Sequence, residues 1–240
     1  MITLSKRMQT LADLVSANDV FADIGCDHGF LSIYLVQSKK TKKAIAMDVR
    51  PGPLSRAREH VQQAGLQDVI ELRLSDGLEK LSEGEAKSIL ISGMGGPLME
   101  GILRRGEKVA QMADELILQP QSEIPEFRRF LTESGYVFLD ENICVEDGKY
   151  YFFMKVVHKS KLSGAKGYIP AEDVEFSYGG LLLQRGEPLL YEYLLREKSL
   201  WEETKAHLMK QNQNEKIISR LQEISKKLEL VNAAIYRMRR

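Results

Sequence analysis

The residues best suited to chemistry lie close together in "VFADIGCDHGFLSIYL", Val20 to Leu35. An apolar run meets Asp23, passes through Gly25, Cys26, Asp27, His28 and Gly29, and continues in a helical pattern. A strand that turns through glycines into a helix forms the first crevice of an open α/β sheet, where such folds bind ligands. Gly25 permits the tight turn, and Gly29 lets a ligand or a helix approach the backbone closely. The dinucleotide pattern G-x-G-x-x-G is not met, because Asp27 stands where the second glycine belongs. A pyrophosphate seeks bare backbone N–H groups at a helix N-terminus. Here it would meet two carboxylates.

Two more carboxylates close later strands. Asp48 ends "AIAMD", 19 residues past Gly29, where a carboxylate can accept both ribose hydroxyls. Asp76 in "LSDGL" suits an adenine amino group. One carboxylate in a loop is ordinarily a turn former. Three at successive strand ends, with glycines beside the first, describe a site. S-adenosyl-L-methionine matches it, since it has no phosphate and carries an ammonium and a sulfonium that favour nearby carboxylates. The expected cofactor residues are Asp23, Gly25, Cys26, Gly29, Asp48, Val49, Asp76 and Gly77, joined by Gly93 and Met94 from the next strand end.

That strand end reads "ISGMGGPLME". Gly93, Gly95 and Gly96 predict an open shelf beside the reacting group, while Pro97 suits a first helical position. "LQPQ" brings the amides of Gln119 and Gln121 to the same rim.

These residues need a scaffold. Leu4, Met8, Leu11, Leu14 and Val15 predict an opening helix over 3–15. Strands at 20–24, 44–48, 69–74, 88–92 and 115–119 alternate with helices near 29–38, 51–64, 97–111 and 123–134. That rhythm means an α/β fold with a mostly parallel sheet covered on both faces. Residues 136–145 and 150–158, joined by "EDGK", predict a terminal antiparallel hairpin, because Asp147-Gly148 is a strong turn signal. The Gly-, Ser- and Lys-rich stretch that follows reads as a linker. Ile217, Leu221, Ile224, Leu228, Val231, Ile235 and Met238 then form a heptad. Leu190, Leu194, Trp201 and Leu208 repeat it more weakly, predicting two antiparallel coiled-coil helices that turn near Gln211–Asn214. The expected domains are 1–160 for the cofactor, 161–187 as linker, and 188–240 as the helical unit.

Lys and Arg balance Asp and Glu at 34 each, so no global field advertises a nucleic-acid or membrane partner. The balance is local: from Lys216 onward, seven basic residues face two acidic ones. Lys216, Arg220 and Lys227 fall on one side of the last helix, away from the seam, and Lys6 and Arg7 mark the opening helix. Two cysteines, Cys26 and Cys144, make neither metal spacing nor a disulfide framework. No signal-peptide pattern and no run of 18 apolar residues is found. The expectation is a cytoplasmic protein, without metal or membrane partner, as a monomer or weak dimer.

The series "DIGCDHG", "AMD", "SDG", "ISGMGG" and "LILQPQ", with the helical extension, resembles the bacterial tRNA adenine-N1 methyltransferases that modify position 22, the TrmK family. The resemblance covers essentially the whole chain. It implies a class I Rossmann-like methyltransferase sheet with a C-terminal coiled coil, S-adenosyl-L-methionine as cofactor and tRNA as partner. Adenine N1 has a free lone pair, so its methylation requires alignment first. The product base is cationic, and a carboxylate beside it stabilises the charge that develops. Asp27 is the candidate catalytic residue, with His28 stacking on or hydrogen-bonding the base. Gly95, Gly96, Gln119 and Gln121 are the candidate base contacts, and Lys6, Arg7, Lys216, Arg220 and Lys227 the phosphate contacts. Two alternatives remain: a non-catalytic S-adenosyl-L-methionine-binding regulator, and an NAD-dependent oxidoreductase, against which Asp23 and Asp27 argue.

Overall fold

The computed structural model describes residues 2–162, 167–211 and 214–239. The chain forms two compact units, Met1–Ile169 and Pro170–Arg240. The first opens with helix α1 (Lys6–Leu14), where the Ser5 hydroxyl accepts the Met8 N–H. Then come β1 (Asn18–Ile24), α2 (Phe30–Gln37), β2 (Thr41–Asp48), α3 (Pro51–Gln63), β3 (Ile70–Leu74) and β4 (Ser88–Met94). The unit continues with α4 (Gly96–Arg105), α5 (Glu107–Met112), β5 (Glu115–Pro120), α6 (Ile124–Glu133), β6 (Tyr136–Glu146) and β7 (Lys149–His158).

The strands lie in the order β3-β2-β1-β4-β5-β7-β6. The first five pair in parallel, and β7 runs antiparallel to both β5 and β6. The later strand of the hairpin is therefore the one that joins the sheet. Asp147 and Gly148 both have positive φ, 50° and 73°, as a two-residue type I′ connection demands. All of β5 and the last four residues of β1 are buried, the mark of strands covered on both faces. The chain runs outward from β1 through β2 to β3, then crosses back to β4 on the other side of β1, so the strand order reverses there. This topological switch point opens the crevice at their carboxyl ends.

The helix expected over 97–111 is two. Gly106 ends α4, and a Cβ there would lie 2.6 Å from Leu78. The chain passes too close for a side chain and restarts as α5.

The second unit holds α7 (Asp173–Tyr178), α8 (Gly180–Gln184), α9 (Pro188–Met209) and α10 (Glu215–Met238). Residues 161–187 are thus not a linker throughout. Val174, Phe176, Tyr178, Leu182 and Leu183 are buried, and Glu172 and Glu175 form a capping box on α7. The Gly, Ser and Lys content of the preceding residues conceals this short apolar cluster. Residues 163–166, the centre of the expected linker, lie outside the described residues.

Helices α9 and α10 are antiparallel, since Arg239 near one end of α10 donates to the Tyr191 hydroxyl near the start of α9 (2.9 Å). Ile224, Val231 and Ile235 of the heptad are buried against this pair, as are Leu190 and Leu194. Glu197 interrupts the apolar stripe because the Tyr178 hydroxyl donates to it at 2.8 Å. The turn expected at Gln211–Asn214 includes residues 212 and 213, which lie outside the described residues. Among the described residues, no helix is long and apolar enough to cross a membrane, and no group of side chains is arranged to hold a metal.

Candidate active site

A cavity of about 500 Å³ opens where β1, β2 and β4 end. The strand-to-helix turn after β1 forms its floor. Gly25 has φ +79°, and a Cβ there would come within 2.4 Å of the Met94 Cε, so the bare backbone makes room. Asp23, Gly25, Cys26 and Asp27 all line the cavity, with Asp48, Val49, Asp76, Gly77, Gly93, Met94 and Gln121. Most of the expected constellation is brought together.

Its electrostatics are set by burial. Asp23 is buried and accepts one hydrogen bond, from the Ser32 hydroxyl at 3.1 Å. Desolvation pushes its carboxyl up to about 7, opposed by Ser32 and reinforced by the neighbouring Asp48 charge. Asp48 is also buried, and its Oδ1 accepts the Arg50 N–H at 2.9 Å. The Arg50 Nε stands only at 3.9 Å. Asp76 pairs with Arg105 at 3.1 Å in a more open position. Cys26 is buried, and its thiol is pushed well above its ordinary range, chiefly by desolvation. It is therefore an apolar wall rather than a nucleophile. Val49 and Leu98, exposed at 58% and 52%, supply uncovered apolar surface at the mouth.

Asp27 has φ 47°, a left-handed conformation that Asp tolerates better than most residues. Its side chain is 57% exposed, 3.4 Å from the Arg56 guanidinium and 3.5 Å from the His28 Nε2. His28 itself is not among the lining residues. Its ring lies parallel to Phe30, with centroids 5.4 Å apart.

Several expected placements change. Gly29 is not among the lining residues; its φ of +70° and a Cβ distance of 3.3 Å to Ala57 suit the packing of α2 on α3. The open shelf reduces to Gly93. A Cβ on Gly95 would meet the Ser122 Oγ at 2.9 Å, and one on Gly96 the Ser122 carbonyl oxygen at 2.8 Å. These two glycines seat α4 against the loop after β5. Gln119 is fully buried, and its Oε1 accepts from the Arg7 Nη1 at 3.1 Å.

Arg7 is the main surprise. Expected as a phosphate contact on the opening helix, it lines the cavity, 3.7 Å from the Cβ position of Gly93. Its backbone N–H donates to Glu146 at 3.0 Å, and its guanidinium lies 5.6 Å over the Tyr151 ring. Lys6 is exposed. Met8, Leu31, Ser75, Ser92 and Ile102 also line the cavity without having been expected to. Met8, Leu31 and Ile102 come from the buried faces of α1, α2 and α4, and Ser75 and Ser92 from the ends of β3 and β4. For Arg7 no local signal existed, because its partners lie more than 100 residues away.

In the helical unit, Arg220 and Lys227 lie over the Trp201 ring at 5.9 and 4.2 Å. Arg220 also pairs with Glu223 at 2.7 Å. Lys216 is exposed.

A family model described as a methyltransferase domain matches residues 4–154. The tRNA (adenine(22)-N(1))-methyltransferase of Bacillus subtilis is 36% identical over 198 residues, spanning 82% of this chain and 77% of that protein. The crystal structure of the B. subtilis enzyme superposes with a TM-score of 0.84 at 31% identity, covering 98% of this chain and all of that one. A Streptococcus pneumoniae protein solved in complex with S-adenosyl-L-methionine gives 0.83 at 27% identity, covering 97% and 100%. These likenesses set aside an oxidoreductase and extend through the helical unit. The chain belongs to the methyltransferases, in the family of bacterial tRNA (adenine(22)-N(1))-methyltransferases.

Proposed function

We propose that this protein transfers a methyl group from S-adenosyl-L-methionine to N1 of the adenosine at position 22 of tRNA, as a cytoplasmic enzyme and a monomer or weak dimer. The observation that carries the reading is a pair of buried carboxylates at adjacent strand ends. Asp23 has no cationic partner among the described residues, and Asp48 keeps an oxygen without one. Burying such groups is unfavourable unless a ligand compensates them. The donor set fits this cofactor: Asp23 for the ammonium, Asp48 for the ribose hydroxyls, Asp76 for the adenine amino group, and the bare turn at Gly25 for close approach. Val49 and Leu98 cover the adenine, and Arg7 offers a guanidinium fork for the carboxylate. Bound S-adenosyl-L-methionine supplies an electrophilic methyl group on a sulfonium. The chain needs no general base, because adenine N1 already has its lone pair; its task is to align the base. Gly93 leaves the space, Gln121 offers an amide at the rim, and Asp27 places negative charge where the base becomes cationic. Lys6, Lys216, Arg220 and Lys227 meet tRNA phosphates, a contact that weakens with salt.

The test is incubation of a tRNA transcript with isotopically labelled cofactor, followed by nucleoside mass spectrometry and primer extension. One labelled 1-methyladenosine per transcript, a stop at position 22, and loss of both when that adenosine is replaced are expected. Cofactor binding without modification of any tRNA would favour the non-catalytic regulator.

A further inference from the structure

We propose that the rings of His28, Phe30 and His60 form a stacking platform for the nucleotide adjoining the adenosine that enters the cavity. The inference rests on the function proposed above and assigns part of its RNA-binding surface.

The three rings make a compact triangle. Their centroids are 5.4 Å apart for His28–Phe30, 4.6 Å for Phe30–His60 and 5.6 Å for His28–His60. The first two pairs are near-parallel, at 9° and 28°. They come together because Gly29 lets α2 approach Ala57 of α3, and because the His60 Nδ1 hydrogen-bonds the His28 carbonyl at 3.0 Å. None of the three is buried, and the His28 side chain is 36% exposed. Rings that served only to pin two helices would be better covered than this. The His28 Nδ1 is buried and has no hydrogen-bond partner among the described residues, so it is the ring's faces and its Nε2 edge toward Asp27 that remain to meet a ligand.

Position makes the platform specific. Asp27, the residue before His28, lines the cavity. Arg56 and His60 are four residues apart on α3 and so share a face. The Arg56 side chain is 53% exposed beside Asp27. A cation next to flat rings at the rim of a deep cavity matches a phosphate next to a base. Turning an adenosine out of its stack leaves its neighbour with one bare face. Single-stranded bases recover such losses by stacking on aromatic side chains, largely without regard to sequence.

The test uses the full-length protein and a tRNA with 5-iodouridine placed on either side of the target adenosine. Irradiation should cross-link one of these positions to a peptide containing His28 and Phe30 or His60. In parallel, the Phe30→Leu, His60→Leu double variant keeps apolar bulk but removes two rings. Its KM for tRNA should rise about tenfold, the order expected for one lost base–aromatic stack, with cofactor affinity by calorimetry unchanged. His60→Phe, which keeps a ring but not the hydrogen bond, should hold KM within about twofold. Wild-type KM in the double variant overturns the platform. So does equal loss in His60→Phe and His60→Leu, or cross-links confined to residues 170–240. A wild-type protein that methylates no tRNA overturns the function first and the platform with it, whereas normal methylation with any of these results overturns the platform alone.

Discussion

The two ends of one sheet hold charged hollows of opposite character. At the carboxyl ends of β1 and β2, Asp23 and Asp48 are buried with almost no cationic compensation. Near the starts of β1, β4 and β5 lies a larger hollow, about 840 Å³, lined by Asp13, Asp19, Lys87, Asp114, Glu115, Asp140 and Lys155. There the buried charge is spent internally. Glu115 accepts from the Lys155 Nζ (2.7 Å), the Ser88 Oγ (2.6 Å) and the Ser16 N–H (2.7 Å). Lys155 also donates to the Leu14 carbonyl at 2.9 Å and the Ser16 Oγ at 2.7 Å. Titration follows the difference. Burial tends to raise Glu115, but Lys155, Ser88 and Ser16 outweigh it and hold the carboxyl low. Asp23, with only Ser32, is pushed up to about 7. Neither volume nor number of charges marks a ligand site; charge left unmet by the protein does.

The contrast is most easily broken at the satisfied end. Lys155→Ala should cost roughly 3 kcal/mol of stability in urea unfolding, as removal of one partner from a buried pair does, with cofactor affinity unchanged. A fall in affinity of similar size would mean the two ends are not independent. At the unmet end the effects should reverse. Asp48→Ala should weaken S-adenosyl-L-methionine binding by about 1.5–3 kcal/mol, the worth of a hydrogen bond to a charged group, and barely move the melting temperature. Unchanged calorimetric affinity in the folded variant would remove Asp48 from the site.

Acidity sharpens the same comparison. Because the folded-state pKa of Asp23 lies near 7, above the ordinary carboxylate value, its contribution to stability is present at low pH and is lost as pH rises through 7. A cationic ligand needs the ionised form. Cofactor affinity should therefore be about tenfold weaker at pH 6 than at pH 8, from a single titration near 7. Asp23→Asn should flatten that profile, and a profile unchanged in the variant would assign the titration elsewhere. The smallest effect belongs to Asp27, which is exposed and already shared with Arg56. Asp27→Asn should lower turnover on tRNA about three- to tenfold while leaving cofactor affinity within twofold, as loss of an interaction made mainly in the transition state would. Parallel loss of both would make it a cofactor ligand.

Much of this site can be read before folding because it lies in local signals. Asp23, Gly25, Asp48 and Asp76 each sit at a junction between an apolar run and a turn, and the parallel fold brings such junctions to one edge. Gly93 and Gln121 follow the same logic. Arg7 does not, since a nine-residue helix does not reveal which of its faces meets Gln119 and Glu146. Gly95 and Gly96 carry the composition of an open shelf, yet tight packing against Ser122 explains them. Short helices escape for another reason. Val174, Phe176, Leu182 and Leu183 straddle a break at Gly179, so neither α7 nor α8 completes a recognisable period. Trp201 shows the limit of a heptad: it marks the seam correctly but does not disclose that Lys227 covers its ring.

The antiparallel β7 imposes an order of assembly. Strand β6 joins the sheet only through β7, so a ribosome that has released residues up to 146 has made a strand with no strand to pair with. The Asp147–Gly148 connection makes the hairpin a local event, cheap in loop-closure entropy, and the pair then joins β5 as one piece. Helix α1, the first element synthesised, is held by Glu146 of β6 and by Lys155 of β7 through the Leu14 carbonyl. The earliest and latest segments of this unit thus lock each other, and Arg7 gains its full set of contacts only then. A chain interrupted before residue 158 has most of the acidic pocket but lacks this clasp. Closure of the hairpin is thereby tied to the placing of the Arg7 cation in the cavity.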